Sequence, residues 1–149
     1  MDYKDKAILT RILVEGDKSI WGNWSEDVSR CHEVTEVKPA SRSLVMVKVR
    51  DSVSQQPFYM GEALMSECAV KVDGVAGFGA IMGDCPEHAR SLAVIDAAFN
   101  ACLPEVERWL PVLAEQEKLI EKRQRQDYAA VSKTKVDFST MEDYDGKDR

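Results

Sequence analysis

No CxxC pair occurs in this chain, no apolar run approaches the roughly 20 residues needed to cross a bilayer, no glycine-rich stretch ends in Gly-Lys-Ser/Thr, and positive charge is not in surplus. Each absence removes a class of function. Cys31, Cys68, Cys85 and Cys102 are dispersed along 149 residues, a length that buries a core without staples. They therefore read as reduced thiols of a cytoplasmic protein, not as a disulfide framework. Membrane insertion is not expected. The opening "MDYKDKAILTRILVEGD" lacks the basic start, continuous apolar segment and small-residue cleavage site of a secretory signal. A net charge of -6 argues against a general nucleic-acid binder, which ordinarily carries a basic balance.

What is present is the composition of a soluble globular chain, 44% hydrophobic and 31% charged. Ile8, Leu9, Ile12 and Leu13 recur at helical spacing and Gly16 supplies a stop, so a helix opens the chain. "DKSIWGNWSEDVSRC" reads as a second short helix presenting Ile20, Trp24 and Val28. From residue 32 the texture becomes β-branched and alternating, with Val45, Val47 and Val49 on one face. "HEVTEVKP" and "SLVMVKVRD" predict strands, and "ECAVKVDGVAGFGAIMG" predicts a strand, a turn at Asp73-Gly74 and a return strand. The expected fold is α+β, an antiparallel sheet of about four strands packed with helices, followed by a long C-terminal helix and an extended tail. The expected division is a core domain over 1–110, a long polar helix over 111–132 opened by Pro111, and an interaction tail over 133–149.

The stretch "GDCPEHARSLAVIDA" is richest in reactive residue types. Asp84 and Glu87 have the spacing of a capping box, and Pro86 suits the first turn of the same helix. Cys85 and His88 offer two metal ligands where structural zinc takes four, and only Cys31-His32 adds another pair, so no metal site is expected. A helix N-terminus favours a thiolate, yet no second element of a Cys-His nucleophile system is identifiable. His88 reads better as a packed, hydrogen-bonded residue than as a catalyst. Asp96, alone among apolar residues of a helix covered on several sides, needs a partner or a polar cavity. "GVAGFGAIMG" lacks the residues that hold phosphate and magnesium in a Walker loop, and Gly77 and Gly79 fit the close approach of another backbone. Lys118, Lys122, Arg123, Arg125, Lys133 and Lys135 make the late helix locally basic. A solvated face is the ordinary meaning, with Glu121 and Arg125 paired.

"GEAL" at 61–64, "AVKV" at 69–72, "GFGAIMGDCPEHARSLAVIDA" at 77–97 and "KVDFSTM" at 135–141 together resemble the PhnG family, the G subunit of the bacterial carbon-phosphorus lyase core complex. The resemblance implies a hetero-oligomer with the H, I and J subunits, used for phosphonate catabolism. The I subunit carries the nucleosidase-like step, and the G, H and L proteins support displacement of adenine from ATP by methylphosphonate. The product is α-D-ribose 1-methylphosphonate 5-triphosphate, made by a transferase of which this chain is an accessory part, not catalytic alone. The J subunit, with an iron-sulfur cluster and S-adenosylmethionine, then cleaves the carbon-phosphorus bond, and no cofactor is expected in this chain. Val136, Asp137, Phe138 and Met141 are expected to bind a partner, the I subunit first. The competing reading is a stand-alone small-molecule enzyme using His88, Asp96 or Cys85. A nucleic-acid adaptor using the basic helix is disfavoured by the acidic total.

Overall fold

The computed structural model describes residues 6–135. Two helices open the chain, α1 (Lys6–Glu15) and α2 (Lys18–Cys31); three strands follow, β1 (Val34–Arg50), β2 (Pro57–Val72) and β3 (Val75–Met82); two helices close it, α3 (Pro86–Asn100) and α4 (Pro104–Ser132). The strands form one antiparallel meander in the order β1-β2-β3. One face of the sheet carries α3, and α2 and α4 contact α3 in turn, while α1 packs on α4 and α2. No described helix is long and apolar enough to cross a membrane.

Helix α1 ends where Gly16 donates its N–H to the Ile12 carbonyl at 2.8 Å, as the spacing predicts. Helix α2 is capped by Asp17, whose carboxylate accepts from the Ser19 N–H at 2.9 Å. Its buried stripe is Trp21, Ser25 and Val28, one position off the expected one at Trp24. Trp24 instead stacks on Trp109 of α4, with ring centroids 4.6 Å apart and planes within 6°.

The sheet has three strands where about four were expected. "HEVTEVKP" and "SLVMVKVRD" belong to one strand of 17 residues, because register shifts between Glu36 and Lys38 and between Lys38 and Ser41 absorb Pro39 without ending the pairing. "QFYM"-type irregularity was expected between 55 and 64, but Pro57 onward is already the first half of β2. The Asp73-Gly74 turn stands as expected, with φ of +48° and +84° at its two central residues.

Helix α4 also starts earlier than expected. Pro104 occupies its first turn and the helix runs on through Pro111, whose ring lies on the exposed side. Trp109, Leu113, Glu117 and Ile120 form one buried stripe across that proline, so packing on both sides of it holds the helix together. Between α3 and α4, Cys102 adopts φ +52°. Leu103 N–H reaches the Ala98 carbonyl and Cys102 N–H the Phe99 carbonyl, each at 3.1 Å, which closes α3 as a Schellman motif with cysteine in the usual glycine position.

Helix α3 and strand β3 approach each other backbone to backbone at two glycines. A Cβ on Gly77 would sit 2.3 Å from the Ala93 carbonyl oxygen and from the Ala97 nitrogen; one on Gly79 would sit 2.1 Å from the Ala89 carbonyl oxygen. These are backbone atoms and cannot swing aside. Gly79→Ala is therefore expected to destabilise by about 2–3 kcal/mol through forced separation of helix and sheet. Gly22→Ala, with nothing within 4 Å of the new Cβ, should stabilise by up to about 1 kcal/mol through a better helix residue. Denaturant midpoints of the two variants test the contrast; an unshifted midpoint for Gly79→Ala would sink it.

Candidate functional site: helix α3 and a bare β-ribbon

The residues of "GDCPEH" do not form a capping box. Cys85 is the N-cap of α3 and makes no side-chain cap, while Asp84 is drawn away to the Arg42 guanidinium at 2.6 Å. The turn is held from the sheet instead. Fully buried Ser66 on β2 donates its hydroxyl to the Gly83 carbonyl at 2.7 Å and accepts the Cys85 N–H at 2.9 Å. All four cysteines carry free thiols. Cys85 Sγ lies 4.0 Å from Lys18 Nζ, and burial pushes the Cys68 thiol up, away from reactivity. Among the described residues no group of three or more His, Cys, Asp and Glu is arranged to hold a metal ion.

His88 and Asp96 each hold a structural partner. The His88 ring places Nε2 3.2 Å from the Leu13 carbonyl near the end of α1, in a buried setting. Burial lowers its pKa, the Leu13 carbonyl opposes that, and the nearby Lys18 charge lowers it further. Asp96 meets Lys6 Nζ at the start of α1 at 3.2 Å. Its other oxygen accepts the Phe78 N–H at 3.0 Å, and Asn100 donates both to that oxygen and to the Ala76 carbonyl. The pair thus ties both ends of α1 to α3, and Asp96 with Asn100 closes the outer edge of β3. Asp96 thus holds a salt bridge and His88 is packed against a backbone carbonyl.

His32 is a feature the spacing did not disclose. Its Nδ1 stands 2.6 Å from Asp73 and its Nε2 3.5 Å from Glu105, so the end of α2, the β2–β3 turn and the start of α4 meet on one imidazole. The hydrogen bond to Asp73 raises the His32 pKa, against partial desolvation and with help from Glu105; the same bond holds Asp73 below its ordinary value. Residues 32, 73 and 105 are too far apart in sequence for any local motif to signal this.

The exposed apolar surface of the sheet was half legible. Strand β3 pairs only with Met65–Val72 of β2, so β1 from Leu44 and β2 from Pro57 to Leu64 continue as a two-stranded ribbon. Val45, Val47 and Val49 share a face as the alternation predicts, but Leu44 and Met46 make the other face apolar too. Leu44, Val45, Met46, Phe58, Tyr59 and Met60 are each 48–68% exposed. The signal was the unbroken "LVMV". An amphipathic strand would have placed polar residues at 44 and 46. The expected partner-binding residues Val136, Asp137, Phe138 and Met141 lie outside the described residues.

The basic helix is mostly a solvated face, as expected. Arg125 pairs with Glu121 at 3.2 Å. Arg123 reaches Glu15 on α1 at 3.1 Å, and buried Glu117 meets Arg11 at 3.2 Å, so part of that charge clamps α1 to α4.

Residues 6–142 match the family described as phosphonate metabolism protein PhnG. The chain belongs to this family. It is also 32% identical over 112 residues, 73% of this chain and 70% of the relative, to the alpha-D-ribose 1-methylphosphonate 5-triphosphate synthase subunit PhnG of Rhizobium meliloti (strain 1021). The matched span contains α3, its glycine-lined contact with β3 and the apolar ribbon.

Two sets of variants follow. His88→Ala leaves the buried Leu13 carbonyl without its donor and should cost about 1–3 kcal/mol, and Asp96→Asn should weaken the Lys6 contact and cost less. Thermal melts read both; a normally stable Asp96→Asn or His88→Ala protein that had lost adenine release in the assembled enzyme would instead make these residues functional.

The two histidines should also give opposite pH slopes. Relative to His32→Gln, the wild type gains most below about pH 6.5, the free imidazole value, and the gain fades as pH rises through the raised folded pKa. Relative to His88→Gln, it gains most above about pH 6.5 and loses that gain in acid, as the unfolded imidazole takes up its proton first. Parallel melting curves for all three proteins from pH 5 to 8 would refute both assignments.

Proposed function

We propose that this chain is an accessory subunit of the assembly that makes α-D-ribose 1-methylphosphonate 5-triphosphate from ATP and methylphosphonate in phosphonate catabolism. The observation that carries the reading is the ribbon beyond β3, apolar on both faces. Each of its large side chains left half in water forfeits about 1 kcal/mol of burial, and contiguous apolar surface of this kind marks an interaction site. Family membership supports the same reading, since the Rhizobium meliloti relative is named as a subunit of that synthase. Two of the residues a stand-alone enzyme would have used are engaged in the fold, His88 by the Leu13 carbonyl and Asp96 by Lys6 and the Phe78 N–H.

The proposed partners are the H, I and J subunits of the carbon-phosphorus lyase core complex, with I the most direct contact. In this scheme the I subunit supplies the nucleosidase-like step on ATP, and the iron-sulfur cluster and S-adenosylmethionine belong to J. Val136, Phe138 and Met141 form a second anchor on the I subunit, with Asp137 meeting donors at the pocket edge. The chain works in the cytoplasm, where ATP is supplied.

Co-expression with the H, I and J subunits tests the proposal. The chain should co-purify with them and release no adenine from ATP and methylphosphonate by itself. Deletion of residues 133–149 should leave a folded domain with weakened assembly, and Phe138→Ala should reproduce much of that loss. Adenine release by the purified chain alone would make the accessory reading wrong, and unchanged co-purification of both tail variants at low concentration would remove the tail anchor.

A further inference from the structure

The two outer edges of the sheet are treated differently. On β3, the Phe78 N–H and the Ala76 carbonyl, which face away from β2, are taken by Asp96 and Asn100 of α3. That edge is closed to any further strand. On β1 the first half is protected by Pro39 and two register shifts. From Arg42 to Val47 the pairing with β2 is regular and the edge has no proline.

The direction of the free groups follows from the ladder. Leu64 accepts the Gly83 N–H at 2.8 Å, so the backbone groups of Leu64 face the β3 side. Leu64 pairs with Leu44, which makes that pair a non-hydrogen-bonded one and turns the N–H and C=O of Leu44 away from β2. By the period of two, Arg42 and Met46 face outward as well.

We infer that β1 from Arg42 to Val47 accepts an additional strand from a folded partner subunit, a strand that is acidic and lies in a cleft whose walls cover both apolar faces of the ribbon. This inference rests on the subunit reading above. Residues 41–50 carry Arg42, Lys48 and Arg50 and no acidic residue, and Arg42 already draws Asp84 to it. Opposite charge across a strand pair stabilises it and like charge does not, so a second copy of β1 is a poor complement. A second copy or the chain's own residues 136–149 laid along this edge would also leave Leu44 and Met46 bare on one face and Val45 on the other. The cleft of a folded partner covers edge and faces together.

Hydrogen–deuterium exchange on the full chain, alone and co-expressed with the H, I and J subunits, tests this. The amides of Leu44 and Met46 should exchange freely in the isolated chain and at least tenfold more slowly in the complex. Leu44→Pro removes only an outward N–H, a place where an edge strand tolerates proline. It should leave the melting point of the isolated chain nearly unchanged and weaken assembly at least tenfold, whereas Leu44→Ala, which keeps the amide, should weaken it less. Lys48→Glu with Arg50→Glu should slow association and reduce its salt dependence. An intact complex with these amides unprotected would overturn the strand pairing and leave the subunit reading standing; absence of any complex would overturn both. Stronger assembly on charge reversal would overturn the acidic partner. Concentration-dependent self-association lost in Leu44→Pro would assign the edge to a second copy, and protection in the isolated chain lost on deleting residues 136–149 would assign it to the chain's own tail.

Discussion

Helix α3 rests on strand β3 at a separation that leaves no room for a Cβ at Gly77 or Gly79, with Ala89, Ala93 and Ala97 facing them from the helix. A helix normally stands off a sheet by the depth of two side-chain layers. Here one layer is missing, and polar side chains on α3 come within hydrogen-bonding reach of the strand backbone. Asp96 and Asn100 can close the β3 edge only because of that approach. Ser66, on β2, brackets the β3–α3 turn where the same helix begins. His88 and Asp96 then fix α1 to the back of the helix. Four elements are positioned by the absence of two side chains.

The same helix sets the boundary between core and interface. It covers the sheet where β3 is present, and Ser66, Cys68, Val70 and Val72 of β2 are buried beneath it. Among the described residues neither a third strand nor a helix lies beyond Met65, and Leu44, Val45, Met46, Phe58, Tyr59 and Met60 are exposed. An isolated two-stranded ribbon is marginal in water. This one is anchored at its base by the regular sheet, and turned at its tip by Asp51, which accepts from the Ser54 N–H at 2.8 Å. The domain is thus a compact support for an apolar arm, a division suited to a subunit whose role is contact.

Charge is used at the seams. Arg11 with Glu117 and Arg123 with Glu15 join α1 to α4, and His32 joins three elements through two carboxylates. Most of these pairs are partly exposed, so each contributes modestly; their value lies in fixing the register of helices whose apolar contact is small. The late helix keeps its outer turns, from Glu121 to Ser132, free of the core.

The features legible along the chain are those whose signals are local: the first helix with its stop at Gly16, the Asp73-Gly74 hairpin, the reason for Gly77 and Gly79, and the need of Asp96 for a partner. The sequence also carried the family in blocks spread over the chain. Relations between distant residues emerge only in the folded chain. Asp84 had the spacing of a cap, but a guanidinium from residue 42 outcompeted the helix amides for it. Pro39 and Pro111 looked like boundaries, and neither ends its element, because pairing on both sides of one and packing on both sides of the other outweigh a single missing hydrogen bond. Val45, Val47 and Val49 announced a strand with one apolar face; that both faces are bare depends on where β3 stops, and β3 stops where α3 must begin.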